Sequence, residues 1–544
     1  MRTTLKRVSC FIGLTICLAG CGVSGTVSNE VENAALSVSL NEDWQEDQSE
    51  KEKKYQTLLA SGAYDEDNIY VKVDPYDASP LSALLLFQTE EAMKVDISVA
   101  GKDEETTIKN SFDDYTTEHS IPVLGLYADQ ENEVTVTLTD ETGNSVEKKV
   151  TIKTGTLPDS IAKIDVKEAD TEKMALGDSE LTFVVPSTKR AYAFDANGDV
   201  RWYSTRYNSH IFQELNNGNL LYLTKESNNA DTYNVLLETD YLGKIYNCYD
   251  FSSSSAANDT GKSEGEMTVI HHDGIELPSG NLLLTVNDGS NYIEDTMIEL
   301  NRETGEIEKT IDLKDILPES FYEKYDSTSR EDGKIDWFHQ NSVEYDESDN
   351  SIVISGRHQD TVMKIDYETN EIQWIMGDSS GWPDSYQKYF LAGDVKASGG
   401  QHAAIVLPDQ DDNEETTDIL FYDNNISVTR GDEDTSEKYS EARQVRINEE
   451  EMTIEEIWTF GENLGKEYYT KIIGSARYLE DTGNRLVNFG YRDEGKTSSI
   501  MEVTEEGETV LNIDLTDFPT SAWAYRAERF SLYNDSWTYQ LNED

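Results

Sequence analysis

His210, His272 and His402 share a placement that chemistry can use. Each stands five residues before a leucine in an apolar strand, in "SHIFQELNNGN", "HHDGIELPSGN" and "QHAAIVLP". His339, in "FHQNSVEYDESDN", falls one place earlier relative to Tyr345, which predicts a bulge or a one-residue offset there. The chain holds only 7 histidines against 107 aspartates plus glutamates, so composition does not explain this repeated use of one position. The segment "SIVISGR" should run back antiparallel to "QNSVEYD", which sets Arg357 beside His339. Imidazoles clustered with a guanidinium suit an oxyanion, because both donate charge-assisted hydrogen bonds. Two other readings stand beside this one. Three histidines can hold zinc, but these spacings match no short metal motif and an arginine among them disfavours a divalent cation, so no metal is expected. Histidines also cap strand ends or pair with carboxylates. His271 adjoins His272 but should point to the other face, while His119 and His358 read as structural.

The elements that must position these residues repeat along the chain. A strand, an acidic turn and a strand recur as "YAFDANGDVRWY", "LLETDYLGKIYN", "MIELNRETGEIEKTID", "MKIDYETNEIQW", "VRINEEEMTIEEIW" and "MEVTEEGETVLNI", which makes six copies. Between them sits a second hairpin, as in "FQELNNGNLLYL" and "VEYDESDNSIVIS". Two hairpins per repeat give one propeller blade of four strands. The first strand of every blade lines the central channel, so equivalent histidines converge on the axis. The fold class predicted is all-β: a six-bladed β-propeller over 158–544, with "WAYRAERFSLY" completing the ring, preceded by a small β-sandwich over 61–157. Insertions at 315–334 and 381–394 have helical character and are candidate rims or lids.

Residues 1–20, "MRTTLKRVSCFIGLTICLAG", read as a lipoprotein signal peptide, since the apolar stretch is too short to span a membrane. The sequence "LAGC" resembles a bacterial lipobox, so Cys21 is the expected lipidation site. The protein is then exported, anchored by lipid alone at the bacterial cell membrane, and faces outside the cytoplasm. Residues 21–60 are acidic and aperiodic and read as a flexible tether, with room for a short helix around 50–60. Cys248 is left without a partner, so no internal disulfide is expected. A formal charge of −62 excludes nucleic acid as a partner, and it requires an anionic substrate to cross a repulsive field to a locally cationic site. "GYRDEGKT" (490–497) spells a phosphate loop, but a strand follows where the motif needs a helix. No other nucleotide or redox signature occurs, and no cofactor is expected.

The stretch "DWFHQNSVEYDESDNSIVISGRHQDTVMKIDYETNEIQWIMG", with "QHAAIVLPD" and "HHDGIELPSGN", closely resembles the bacterial arylsulfate sulfotransferases. "DPYDASPLSALLLFQT" and "HSIPVLGLYADQENEV" resemble that family's β-sandwich domain. The resemblance implies transfer of a sulfuryl group from a phenolic sulfate ester to an acceptor phenol, with no nucleotide sulfate donor. It implies ping-pong kinetics through a sulfohistidine at His402, with His272, His339 and Arg357 on the sulfuryl oxygens and Asn341 as a neighbour. His210 and His271 complete the expected substrate-binding set. Gly399 and Gly400 are read as leaving room for the sulfuryl group beside His402. A sulfate ester hydrolase and a non-catalytic anion-binding surface propeller are the alternatives, and a homodimer is compatible with the sequence.

Overall fold

The computed structural model describes residues 36–252, 267–324, 333–427, 434–435, 438–519 and 522–541. The expected signal peptide and Cys21 lie outside the described residues.

Alternating patterns built the expectation of strands, and they produce them. Strand Glu131–Asp140 buries every second residue from Asn132 to Leu138, and Ser145–Lys153 pairs with it across the turn at 140–144. That turn is held by Asp140, whose Oδ1 accepts the backbone N–H groups of Thr142 and Asn144, each at 2.9 Å. Five strands form the N-terminal sheet. Its long hairpin, Ala83–Val99 with Ile108–Val123, is irregular between Gln88 and Met93. Before the irregularity it pairs with Tyr70–Val73 and after it with Glu131–Asp140, so one pair of long strands serves both parts of the sheet.

Among the described residues, six further sheets carry the same four-strand antiparallel meander. Their first strands in chain order are Phe212–Glu214, Ile270–Glu276, Gln340–Asp346, His402–Val406 and Ser475–Leu479. The sixth joins distant parts of the chain: Ala524–Ser531 pairs with Glu180–Pro186 and becomes the first strand of a sheet whose other members are early residues. These are propeller meanders, closed in the way "WAYRAERFSLY" predicts. Contacts run from each first strand to the next around the ring. The Tyr525 ring lies 4.3 Å from His210, and His210 lies 5.1 Å from His272. The His272 ring lies 4.8 Å from His339. Asn341 Nδ2 donates to Gln401 O at 2.7 Å, Asn424 Nδ2 to Ile473 O at 3.1 Å, and the Ala527 N–H to Ser475 Oγ at 3.2 Å. Arg526 spans the axis, donating to Asp273 Oδ1 at 2.7 Å and to Asn341 O at 3.2 Å.

The N-terminal sheet is joined to the propeller by apolar packing and one buried cation. Phe87 and Val134 share a core with Phe183, Trp202 and Phe212. Arg201 is fully buried and donates to Gly125 O and Thr106 O, each at 2.7 Å, and to Asp195 at 2.9 Å.

The expected flexible tether is corrected from residue 37 onward. Ser37–Leu40 adds a fifth strand beside Ile245–Ser252, and Asp43–Ala60 is an 18-residue helix. Its buried residues are Gln48, Glu52 and Tyr55, spaced i, i+4 and i+7. Gln48 exchanges two hydrogen bonds with the Ile245 backbone, at 3.0 and 2.7 Å. Glu52 pairs with Lys244 at 2.8 Å, both side chains 2% exposed. The docked face mixes these polar contacts with Trp44, Leu58 and Leu59 packed on the core, and the acidic residues around them are why composition resembled a tether.

The two insertions pack on each other: the Phe321 and Trp382 rings meet edge-on at 4.7 Å, and Tyr386 donates to Ile316 O at 2.9 Å. At the phosphate-loop spelling, a single 3₁₀ turn at Asp493–Gly495 joins two strands.

Candidate active site

The histidine-bearing segments reach the axis through strained backbone. His210, His272 and His339 take φ of 57°, 27° and 54°, the left-handed region that side chains disfavour by about 1 kcal/mol or more. At the fourth first strand that conformation belongs to Ala403 (φ 54°), so His402 sits one place before it. The left-handed backbone is thus shared by His210, His272 and His339, while His210, His272 and His402 each stand five residues before a leucine whose N–H closes the first hairpin, onto Asn219 O, Asn281 O and Asp418 O. The irregularity expected beside His339 is present, between Gln340 and Ser342.

The predicted neighbours His339 and Arg357 do meet: the Arg357 N–H donates to His339 O at 3.2 Å. His358, read from sequence as structural, belongs to the same group. Its ring lies 4.7 Å from His339, and its Nε2 accepts from Arg357 Nη1 at 2.8 Å. Its Nδ1 donates to Asp336 O at 2.6 Å. Arg357 Nη2 donates to Lys471 O at 3.4 Å, which fixes a second arm of the guanidinium. Burial, only partly offset by Asp336, lowers His358 to about 4 and keeps it neutral.

His339 differs from its neighbours. Its Nδ1 lies 2.8 Å from Asp336 Oδ2 and 2.7 Å from Glu294 Oε2. Burial opposes charging the ring, but the Asp336 and Glu294 carboxylates outweigh it and raise His339 to about 9. His339 is therefore an imidazolium at neutral pH. Burial pushes Glu294 up, while His339 and His272 pull its carboxyl well below the usual range. His272 is neutral, lowered chiefly by burial, and burial with the Arg526 charge lowers His210 to about 3. His271 is buried and also lowered by burial, with its Nδ1 3.0 Å from His272 Nδ1. It thus touches the cluster that sequence had turned it away from.

His402 is 3% exposed and opens the strand His402–Val406. Its Nδ1 lies 2.7 Å from Asn424 Oδ1 and 2.9 Å from Gly400 O. Burial, then the charges of Arg357 and His339, lower it well below the usual imidazole range, so the ring is a neutral base. The preceding glycines have another cause than the one expected. A Cβ on Gly399 would lie 1.4 Å from Ile426 O, and Gly400 has φ 62°, so chain packing requires both. Asn341 is fully buried; its Nδ2 donates to Gln401 O, while its Oδ1 has no hydrogen-bond partner among the described residues. Its backbone oxygen receives Arg526 and Tyr525. His119 stays apart, stacked on Phe87 in the N-terminal sheet.

Sequence reasoning missed Glu294, Asp336, Asp273, Asn424, Tyr525 and Arg526. The expected cationic site is in fact charge-balanced, since His339 comes with Glu294 and Asp336 and Arg526 with Asp273. Ligand atoms of His272, Glu294 and His339 lie within 4.8 Å of one another, as do those of Asp336, His339 and His358. Either group could hold a divalent ion, but the ion pairs of His339 already satisfy its Nδ1. Cys248 is buried, and burial pushes its thiol up to about 12.

A ring of antiparallel meanders that gathers a neutral imidazole, an imidazolium and a guanidinium on its axis defines a propeller enzyme equipped for oxyanion chemistry. The pattern of the arylsulfotransferase (ASST) family matches residues 163–526, and that of the arylsulfotransferase Ig-like domain matches 70–155. The chain belongs to the arylsulfotransferase family and is a sulfotransferase. It is 22% identical to the arylsulfate sulfotransferase AssT of Escherichia coli O6:H1, over 84% of this chain and 92% of that protein. The protein of the same name from Lelliottia amnigena matches with the same identity and coverage. Among solved structures, the Cps50 (Swd1) β-propeller domain of Myceliophteria thermophila is similar at a TM-score of 0.31 and 9% identity, covering 64% of this chain and 89% of that one.

Proposed function

We propose that this chain moves a sulfuryl group from a phenolic sulfate ester to an acceptor phenol by a ping-pong route through His402. In the first half-reaction His402 Nε2 attacks sulfur. The S–O(aryl) bond breaks, its electron pair leaves on the phenol oxygen, and His339 supplies the proton. The Arg357 charge and a hydrogen bond from the neutral His272 ring stabilise the sulfuryl oxygens. In the second half-reaction His339 takes the proton of the acceptor phenol, whose oxygen attacks sulfur and returns the N–S pair to His402. The observation that carries this reading is the placement of His339 and His402 at the starts of neighbouring first strands, tied by Asn341 Nδ2 to Gln401 O at 2.7 Å, with the Arg357 and His339 charges acting on the His402 ring. One ring is thus the nucleophile and the other carries the proton.

Turnover of an aryl sulfate, followed by phenol release, tests transfer against hydrolysis. An added acceptor phenol is expected to raise donor turnover severalfold and to appear as the new sulfate ester. If donor turnover ignores the acceptor, the chain is a hydrolase.

The rate should also fall on the alkaline side with a midpoint near 9, as His339 loses its proton. It should hold when pH drops below the ordinary imidazole value, because burial keeps His402 neutral there. The raised His339 also stabilises the fold below an unfolded pKa of about 6.5, and that contribution is lost as pH rises through its folded value. Rate and melting profiles across pH check both. An alkaline limb that is absent in wild type, or unchanged in His339→Gln, removes His339 as the acid.

A further inference from the structure

We infer that Asn424 is a positioning residue for sulfuryl transfer: it holds His402 as the Nδ1–H tautomer, presents Nε2 as the reacting atom, and receives the positive charge that transfer places on the ring. The inference rests on the reading of His402 as nucleophile.

The side-chain amide of Asn424 has one orientation available. Its Nδ2 donates to Thr470 O at 2.9 Å and to Ile473 O at 3.1 Å. Carbonyl oxygens only accept, so a flipped amide would set oxygen against oxygen. Oδ1 must therefore face His402, 2.7 Å from Nδ1. The second neighbour of Nδ1 is Gly400 O at 2.9 Å, also an acceptor. Two acceptors and no donor around Nδ1 require the ring to carry its hydrogen there, which leaves the lone pair on Nε2.

The anchor itself is firm. Asn424 is fully buried, and Ser440 Oγ donates to its backbone oxygen at 3.1 Å and to Thr470 O at 3.1 Å. The Thr470 N–H donates in turn to Ser440 Oγ at 2.9 Å. One small network thus ties the segment after strand Thr416–Asp423 to the loop before Ser475–Leu479, and His402 leans on it.

The contact strengthens during the reaction. When Nε2 forms its bond to sulfur, the ring keeps its Nδ1 proton and becomes an N-sulfoimidazolium. The Nδ1–H donor is then charged, and its hydrogen bond to Asn424 Oδ1 gains strength as the N–S bond forms. An interaction stronger in the transition state than in the resting enzyme raises kcat rather than lowering KM. When the acceptor oxygen takes the sulfuryl group, the N–S electron pair returns to Nε2 and the ring is again neutral with its proton on Nδ1.

The test joins a spectrum to kinetics. With ¹⁵N-labelled histidine and no substrate, His402 should show a protonated, pyrrole-type Nδ1 and a pyridine-type Nε2, assigned by loss of the signals in His402→Ala. Asn424→Leu should lower kcat by about 10- to 1,000-fold, in the range of a lost transition-state hydrogen bond, with KM for the aryl sulfate little changed. A pyridine-type Nδ1 in the wild type overturns the inference, as does a folded Asn424→Leu protein with normal kcat. The spectrum needs no substrate, so it separates this inference from the reaction assigned to His402. The expected tautomer with sulfation mapped to another residue would sink the nucleophile. Sulfation of His402 with the opposite tautomer would sink Asn424.

Discussion

His402→Ala is expected to fold, to melt within a few degrees of wild type and to lose aryl sulfotransfer by at least about 10⁴-fold, the scale seen when a nucleophile is deleted. The fold should survive because the strand is held by other groups. Ala404 N donates to Ser342 Oγ, Asn424 keeps its bonds to Thr470 and Ile473, and Gly399 and Gly400 stay fixed by Asp423 and Asp360. The wild-type protein given donor alone should carry a sulfuryl-sized mass increase on the peptide containing His402. That group should be acid-labile and should vanish when a phenol is added. His272→Ala and His339→Ala should retain some of this labelling. Peptide mass spectrometry after a donor-only incubation decides it, and a label on any other residue defeats the assignment.

Arg357→Lys should lower kcat/KM by ten- to a thousand-fold while leaving the fold intact, by analogy with loss of an oxyanion donor. The guanidinium is a fork already aimed, with one arm on His358 Nε2 and another on Lys471 O. An ammonium on a flexible stem holds a point charge and cannot keep both anchors while facing substrate oxygens. After burial, the Arg357 charge is also the largest influence keeping His402 neutral. Steady-state kinetics beside a melting curve separates the two effects. A folded Arg357→Lys enzyme with near-normal kinetics removes Arg357 from the site.

Strand order was legible where a pattern of period two met a local turn. The six hairpin repeats, the turn at Asp140 and the pairing of Arg357 with His339 all follow from residues close in sequence, where register is set by a short turn. The docked helix Asp43–Ala60 was not legible, because its apolar contacts, Trp44, Tyr55, Leu58 and Leu59, are sparse and the buried positions between them are Gln48 and Glu52. Asp336 stands three residues before His339, and that spacing was the one available signal for a carboxylate partner. Glu294, Asn424 and Arg526 offered none. Each reaches the site from a different part of the ring, and one acidic residue among 107 carries no mark of the contact that it will make.

The strand Ala524–Ser531, seated among residues made more than three hundred positions earlier, gives the site an order in time. Tyr525 must arrive before His210, already stacked on His272, has its second ring neighbour, and Arg526 must arrive before Asp273 and Asn341 are joined across the axis. A growing chain can complete its middle meanders, since each folds from local hairpins. It cannot assemble the full axial constellation until residues 524–531 have docked on Glu180–Pro186. Ring closure thus acts as a completion check, and the finished site is among the last things that folding makes.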